Sequence, residues 1–181
     1  LLGAITGIDV SDPKTKQSLG KRHTNYARFL SLSENLPITT VRPFHIYGPY
    51  EEKTRLIPKL INKLLSNQKI DLVSPKISRD LLYIDDSVDL FCKIAEKKIG
   101  KGKVYNMGSG VQTTIKVIAN TVKDLTHSKS VLNWNKMENR MWDQEIWFSD
   151  MSLVKKELNW KYKYNIVQGL KKTITWYKKN N

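Results

Sequence analysis

A chain of 181 residues is long enough for one sizeable core, or one domain with an appendage, and too short for several independent domains. With 40% hydrophobic and 27% charged residues, its composition argues against a disordered tail, a collagen-like fibre or a membrane bundle. The formal charge of +14 invites an anionic partner, yet 25 of the 31 basic residues are lysine and eight lysines stand against one glutamate between Met151 and Asn181. Phosphate-reading surfaces usually recruit arginine for its bidentate fork, so a general lysine bias explains the charge better than nucleic acid does.

In chain order, the first expected element is a helix between Lys16 and Glu34, with Tyr26, Phe29 and Leu30 at helical spacing and Asn35 as a stop before Pro37. The β-branched run PITTVRPFHIY, closed by Gly48 and Pro49, reads as a buried strand that delivers a loop at its carboxyl end, where open α/β sheets bind ligands. Leu56, Ile57, Leu60, Ile61, Leu64 and Leu65 make the wide apolar stripe of a second helix. IDLVS and DLLYI are short β-prone segments around a polar turn. Asp85 and Asp86 are placed to cap a helix carrying Val88, Leu90, Phe91, Ile94 and Ala95, which favours capping over metal ligation.

KVYNMGSG reads as a strand ending in a glycine turn, and Thr113 as the cap of a helix with Ile115, Ile118, Ala119, Val122 and Leu125 on one face. QEIWFS is expected as a strand and MSLVKKELNW as a short helix. The last helix, NIVQGLKKTITWYKK, turns Val167, Leu170, Ile174 and Tyr177 inward and its lysines to water. Strands alternating with helices predict an α/β fold. Cys92, the one cysteine, lies in an apolar helical run and is expected to be a core thiol, consistent with a reducing cytoplasm. The opening LLGAITGI carries no leader pattern, and with no initiating Met the chain is expected to be a processed protein or a piece of a longer one.

Chemistry is sparse at the motif level. His23, His45 and His127 are far apart, and no CxxC or HExxH occurs, so no metal site is expected. No GxSxG elbow supports a serine nucleophile. Gly108–Gly110 follows a strand and precedes a helix, but lacks both the GxGxxG spacing and a Walker lysine, and reads as a simple turn.

An ordered set of segments stands out: PKTKQSLGK, ITTVRPFHIYGPYE, RLIPKLI, SRDLLYIDD, VYNMGSG, NRMWDQEIWFSD, ELNW and GLKKTITWY. In order and spacing it resembles the carboxyl-terminal half of the extended short-chain dehydrogenase/reductases, the NAD(P)-dependent nucleotide-sugar epimerases, dehydratases and 4-ketoreductases. The resemblance runs from about Pro13 to Tyr177. It implies a partial Rossmann-like sheet joined to a small α/β substrate-binding part, with the amino-terminal dinucleotide-binding half missing. Residues 1–50 would be the remnant of the Rossmann domain, and residues 51–181 mainly the substrate-binding part, with some segments returning to the Rossmann sheet.

The resemblance also implies residue roles. Lys21 matches the lysine of the family's YxxxK pair, which stabilises a tyrosinate and holds the ribose of NAD or NADP; Gln17 stands where the tyrosine belongs. A carboxamide cannot exchange a proton in the working pH range, so the ordinary acid/base step should be lost. Thr6 is a remnant of the family's catalytic Ser/Thr strand, and Tyr26, about 140° around the helix from Lys21, is expected in the core. Pro43 and His45 fall in the family's cofactor-contacting segment, His45 replacing an asparagine that touches sugar or nicotinamide.

For the substrate, Arg79 matches the arginine that reaches the diphosphate, Arg140 a second clamp, Arg55 a substrate-side position, and Asp143 with Gln144 a pair found in cytidine-diphosphate-sugar branches. Ordinary surface ion pairs for the arginines and a structural role for His45 remain open. Trp142, Trp147, Trp160 and Trp176 are expected to pack a small core or a partner half. Three functions compete: an epimerase/dehydratase-like protein binding a nucleoside-diphosphate sugar, a catalytically silent binder of that ligand or of a homologous subunit, and a basic nucleic-acid module. Strands cut off from absent neighbours should leave apolar surface exposed and solubility poor.

Overall fold

The computed structural model describes residues 13–139 and 143–180. Helix α1 (Pro13–Ser33) leads into strands β1 (Thr39–Pro43) and β2 (His45–Tyr47), then α2 (Leu56–Leu65), β3 (Ile70–Asp71), β4 (Ser78–Tyr83) and α3 (Ile84–Glu96). The chain continues through β5 (Lys103–Met107), β6 (Gln112–Thr114), α4 (Ile115–Thr126), β7 (Leu132–Asn133), α5 (Ser152–Leu158) and α6 (Ile166–Asn180). This is the α/β alternation expected from the sequence, built on parallel pairing of β1 with β5, β2 with β4 and β3 with β7. The exception is β6, which runs antiparallel to β4.

Strand β4 divides the interior. Successive side chains of a strand point to opposite faces: Leu81 and Tyr83 join one apolar cluster with residues of α2, α4 and α6, whereas Leu82 joins a second with Leu90, Tyr105, Met107, Val154, Leu158 and Trp160. Burial on both faces explains why the end of β4, Leu81–Tyr83, is apolar at successive positions rather than alternating. The predicted stripes of α2 and α4 are the buried ones: Ile57, Leu60, Ile61 and Leu64 on the first, Ile115, Ile118, Ala119 and Val122 on the second. Gly169 lets α6 lie directly on Tyr47, because a Cβ there would sit 2.0 Å from the Tyr47 hydroxyl oxygen.

Several local expectations are corrected. The cap of α4 is Thr114, whose side chain accepts from Val117 N–H at 3.3 Å, and not Thr113. Asp85 and Asp86 lie in the first turn of α3, behind Tyr83 as the capping residue, and their carboxylates bind elsewhere: Asp85 to Lys172, Asp86 to the backbone N–H groups of Lys163 and Tyr164. Residues 144–149 form no strand. Their backbone is held piecemeal, with Ser78 N–H donating to Gln144 O and the Gln112 carboxamide donating to Glu145 O.

Helix α1 turns its small polar residues inward. Thr24 and Ser31 are buried while Tyr26, Phe29 and Leu32 are 63%, 61% and 65% exposed, so Tyr26 is no core residue. Cys92 is exposed, as are Val88, Phe91 and Val167, because α3 and α6 each bury a narrower stripe than their apolar residues could form. Trp160 packs in the second core and Trp176 against the first, while Trp147 lies edge-on to Phe44; Trp142 lies outside the described residues. Among the described residues no helix is long and apolar enough to cross a membrane.

Candidate functional site

The end of β1 and the start of β2 place the first group of candidates. Pro43 closes β1 opposite Met107, and Phe44 N–H donates to Met107 O at 2.9 Å, after which His45 opens β2 opposite Leu81. The loop beyond Gly48 brings Glu51 back beneath His45: His45 Nε2 lies 3.6 Å from Glu51 Oε1, and Arg55 Nε lies 3.4 Å from the same oxygen. His45 and Arg55, ten positions apart, are therefore gathered by a carboxylate that motif reading passed over. Its signal was present in GPYE, an acidic residue within one helical turn of Arg55.

A second group sits on β4. Arg79 donates through one guanidinium nitrogen to Ser78 O at 2.8 Å and through the other to Asp143, which comes from 64 residues further along the chain. Both side chains are largely buried. The structure brings Arg79 and Asp143 together as an ion pair, and guanidinium N–H groups remain beyond these two bonds. Arg140 and Thr6 lie outside the described residues, and Gln17 and Lys21 fall on α1 with side chains outside them.

Next to this pair, Asp80 is completely buried and accepts five hydrogen bonds: from Ser109 N–H and hydroxyl at 2.7 and 2.6 Å, from Gly110 N–H at 3.1 Å, and from Ser149 N–H and hydroxyl at 2.8 and 2.5 Å. Gly108 must be glycine here, since a Cβ would lie 2.3 Å from Ser149 Oγ and 2.6 Å from Asp80 Oδ2. The amides of the GSG turn are thus spent on a carboxylate. A dinucleotide pyrophosphate needs free amides at such a turn, and those of Ser109 and Gly110 are taken by Asp80. The dinucleotide does not fit this turn.

Several buried phenols among the described residues are shifted away from the range of a general base. Burial pushes Tyr47 far up, with the charges of Tyr83 and Asp86 adding to it. Tyr83 is raised by burial and then by Asp85, Tyr105 by burial and its bond to Glu157, and Tyr177 by burial and then Glu51. A general base needs the opposite shift. Lys172 does lie 3.1 Å from the Tyr164 hydroxyl and over its ring. That ammonium, however, is held by Asp85 at 2.9 Å, which raises its own pKa and neutralises the charge a phenolate would need. Among the described residues no cluster of histidine, cysteine and carboxylates could hold a metal ion.

Residues 22–108 match the family model described as "NAD dependent epimerase/dehydratase family". The chain is 30% identical over 133 residues to a CDP-abequose synthase of Salmonella muenchen, the match covering 72% of this chain and 45% of that protein. Its fold is that of a dTDP-glucose 4,6-dehydratase from Bacillus anthracis solved in complex with NAD (TM-score 0.80, 24% identity, 99% of this chain and 56% of that one). It is also that of a UDP-glucose 4-epimerase from Thermotoga maritima solved with UDP-glucose (TM-score 0.81, 22% identity, 88% and 52%). The chain spans about half the length of the curated relatives it matches.

Proposed function

The chain belongs to the NAD dependent epimerase/dehydratase family, and from that premise we propose that it is the nucleoside-diphosphate-sugar-binding part of such a protein, one whose reaction is reversible hydride transfer at a sugar carbon. The observation that carries this is the Arg79–Asp143 pair: a largely buried guanidinium, held in one orientation by a carboxylate and by Ser78 O, with planar N–H groups to spare. Fixed donors of this kind suit a diphosphate, which rewards bidentate contact more than loose positive charge. His45 and Arg55 would take the sugar side, together with Arg140 and Asp143 as further ligand contacts.

A second reading has its own support. Gln17 in place of the tyrosine favours a chain that binds the nucleotide sugar without catalysing on it. Pro43, Lys21, Gln17 and Thr6 would then be inherited positions with no proton to move. A homologous subunit or a Rossmann half is the partner that would supply NAD or NADP.

Calorimetric titration with CDP-, dTDP- and UDP-glucose tests the binding claim. We expect saturable binding to at least one, lost in Arg79→Ala. Binding that survives Arg79→Ala unchanged, or no binding to any of the three, overturns it. Conversion of the sugar, followed by proton NMR with the same ligands and NAD or NADP, separates the two readings: turnover supports the enzyme, and binding without it supports the silent binder.

A further inference from the structure

Glu51 lies between β2 and α2 with its side chain only 9% exposed, and among the described residues no hydrogen bond reaches either carboxylate oxygen. His45 Nε2, 3.6 Å away, is likewise buried and without a hydrogen bond among the described residues. Arg55 Nε approaches the same Oε1 at 3.4 Å from the first turn of α2. Behind the loop, the Tyr177 hydroxyl donates to the Glu51 main-chain oxygen at 3.5 Å, and the Glu51 charge helps hold that phenol protonated.

Burying a carboxylate without hydrogen bonds is costly unless positive or donor groups face it. The two groups that face Glu51 are the two that the family resemblance implies as ligand contacts, His45 toward sugar or nicotinamide and Arg55 on the substrate side. A carboxylate opposite Nε2 favours the tautomer with its proton on that nitrogen, which leaves Nδ1 as an acceptor. Contacts of this length in a site without ligand commonly shorten once the ligand is bound.

We propose that Glu51 is a positioning residue: its buried carboxylate sets the tautomer of His45 and keeps Arg55 beside it, so that the β2–α2 loop offers an imidazole Nδ1 acceptor and a guanidinium to the sugar of the bound nucleotide. The proposal rests on the reading of His45 and Arg55 as ligand-facing. Its core, the control of His45 by Glu51, needs no ligand to be tested.

The test is nitrogen-15 NMR of the whole labelled chain, whose three histidines make assignment tractable. In the wild-type protein His45 should show a protonated Nε2 and an unprotonated Nδ1. Glu51→Gln and Glu51→Ala should shift His45 toward a mixture of tautomers, leave His23 and His127 unchanged, and be partly reversed in Glu51→Asp. A wild-type His45 that is mixed or protonated on Nδ1 overturns the proposal even if a variant fails to fold, and so does one unmoved in Glu51→Gln. In nucleotide-sugar titrations Glu51→Gln should weaken binding roughly fivefold, the loss of about one ordinary hydrogen bond. If no nucleotide sugar binds the wild-type chain, the functional reading fails, while the tautomer result still stands or falls by itself.

Discussion

Asp80 and Ser149 are bonded twice, the Ser149 N–H at 2.8 Å and its hydroxyl at 2.5 Å both ending on Asp80 Oδ2. The other oxygen receives Ser109 twice. One buried carboxylate on β4 therefore joins the turn after β5 to the segment after Asp143, and fixes that segment beside Arg79 although it has no strand pairing of its own.

Removing this acceptor should be severe. In Asp80→Ala the Ser109, Gly110 and Ser149 donors lose the carboxylate that accepts them, and each unpaired buried donor costs about 1–3 kcal/mol. We expect a loss of at least about 3 kcal/mol in urea unfolding, with Asp80→Asn intermediate because one oxygen survives. A loss below about 1 kcal/mol in Asp80→Ala would show that water replaces the carboxylate.

Gly169 and Tyr47 give a coupled pair. A methyl at position 169 meets the Tyr47 oxygen at 2.0 Å and its Cζ at 2.9 Å, so Gly169→Ala should push α6 off the sheet at a cost of about 1–3 kcal/mol. Tyr47→Phe removes the nearer atom, and the double variant should be less destabilised than the sum of the singles. Strict additivity in the double-mutant cycle would contradict the packing described.

Periodicity made α2, α4 and most of α6 legible, because each buries one stripe against a common core. It misled at α1, where Tyr26 is expected in the core and is exposed: helical periodicity finds an apolar face but cannot tell what, if anything, covers it. The partnership of Arg79 with Asp143 and the role of Asp80 were not legible, since both depend on contacts across more than 60 residues. Asp80 adjoins Arg79 in the sequence, but on a strand neighbours point to opposite faces, so adjacency does not make them partners. Glu51 was overlooked for the same reason, although its distance from Arg55 in the sequence was a usable hint.

Acid should weaken the second core through Asp89. Its carboxylate accepts from Lys163 Nζ at 2.6 Å and Trp160 Nε1 at 2.7 Å, and these bonds, that to Lys163 first, hold its pKa below the ordinary 3.8. A carboxylate depressed in the folded state contributes stability that is complete above the unfolded value and lost as pH falls through the folded one. The melting temperature should therefore fall below about pH 4, and Asp89→Asn should lie below wild type at neutral pH with a flatter acid limb. Glu157, lowered by Lys103 and then by Tyr105, adds to the same limb. Parallel curves for wild type and Asp89→Asn across that range would refute the assignment.

The exposed stripe of α1 should limit solubility without supporting the fold. Phe29→Ser with Leu32→Ser removes two large apolar side chains that contact mostly solvent, whereas the helix is seated by Thr24 and Ser31. Surface changes of this kind typically alter stability by no more than about 0.5 kcal/mol. The double variant should remain soluble at higher concentration, as measured by light scattering, with an unchanged unfolding midpoint. A large drop in that midpoint would mean that the stripe is packed after all.

Arg79 and Asp143 respond differently to charge and to shape. Asp143→Asn keeps an oxygen that can accept from the guanidinium but removes a buried negative charge beside it, so inorganic pyrophosphate should bind several-fold more tightly, about 1 kcal/mol, the size of a water-screened contact between unit charges. Arg79→Lys keeps the charge and loses the planar fork, so it should bind more weakly than wild type despite equal formal charge. Together the two variants separate orientation from net potential. If lysine substitutes fully for Arg79, the site is merely electropositive. If Asp143→Asn weakens binding, the carboxylate contributes more through holding the guanidinium in place than it costs through its charge.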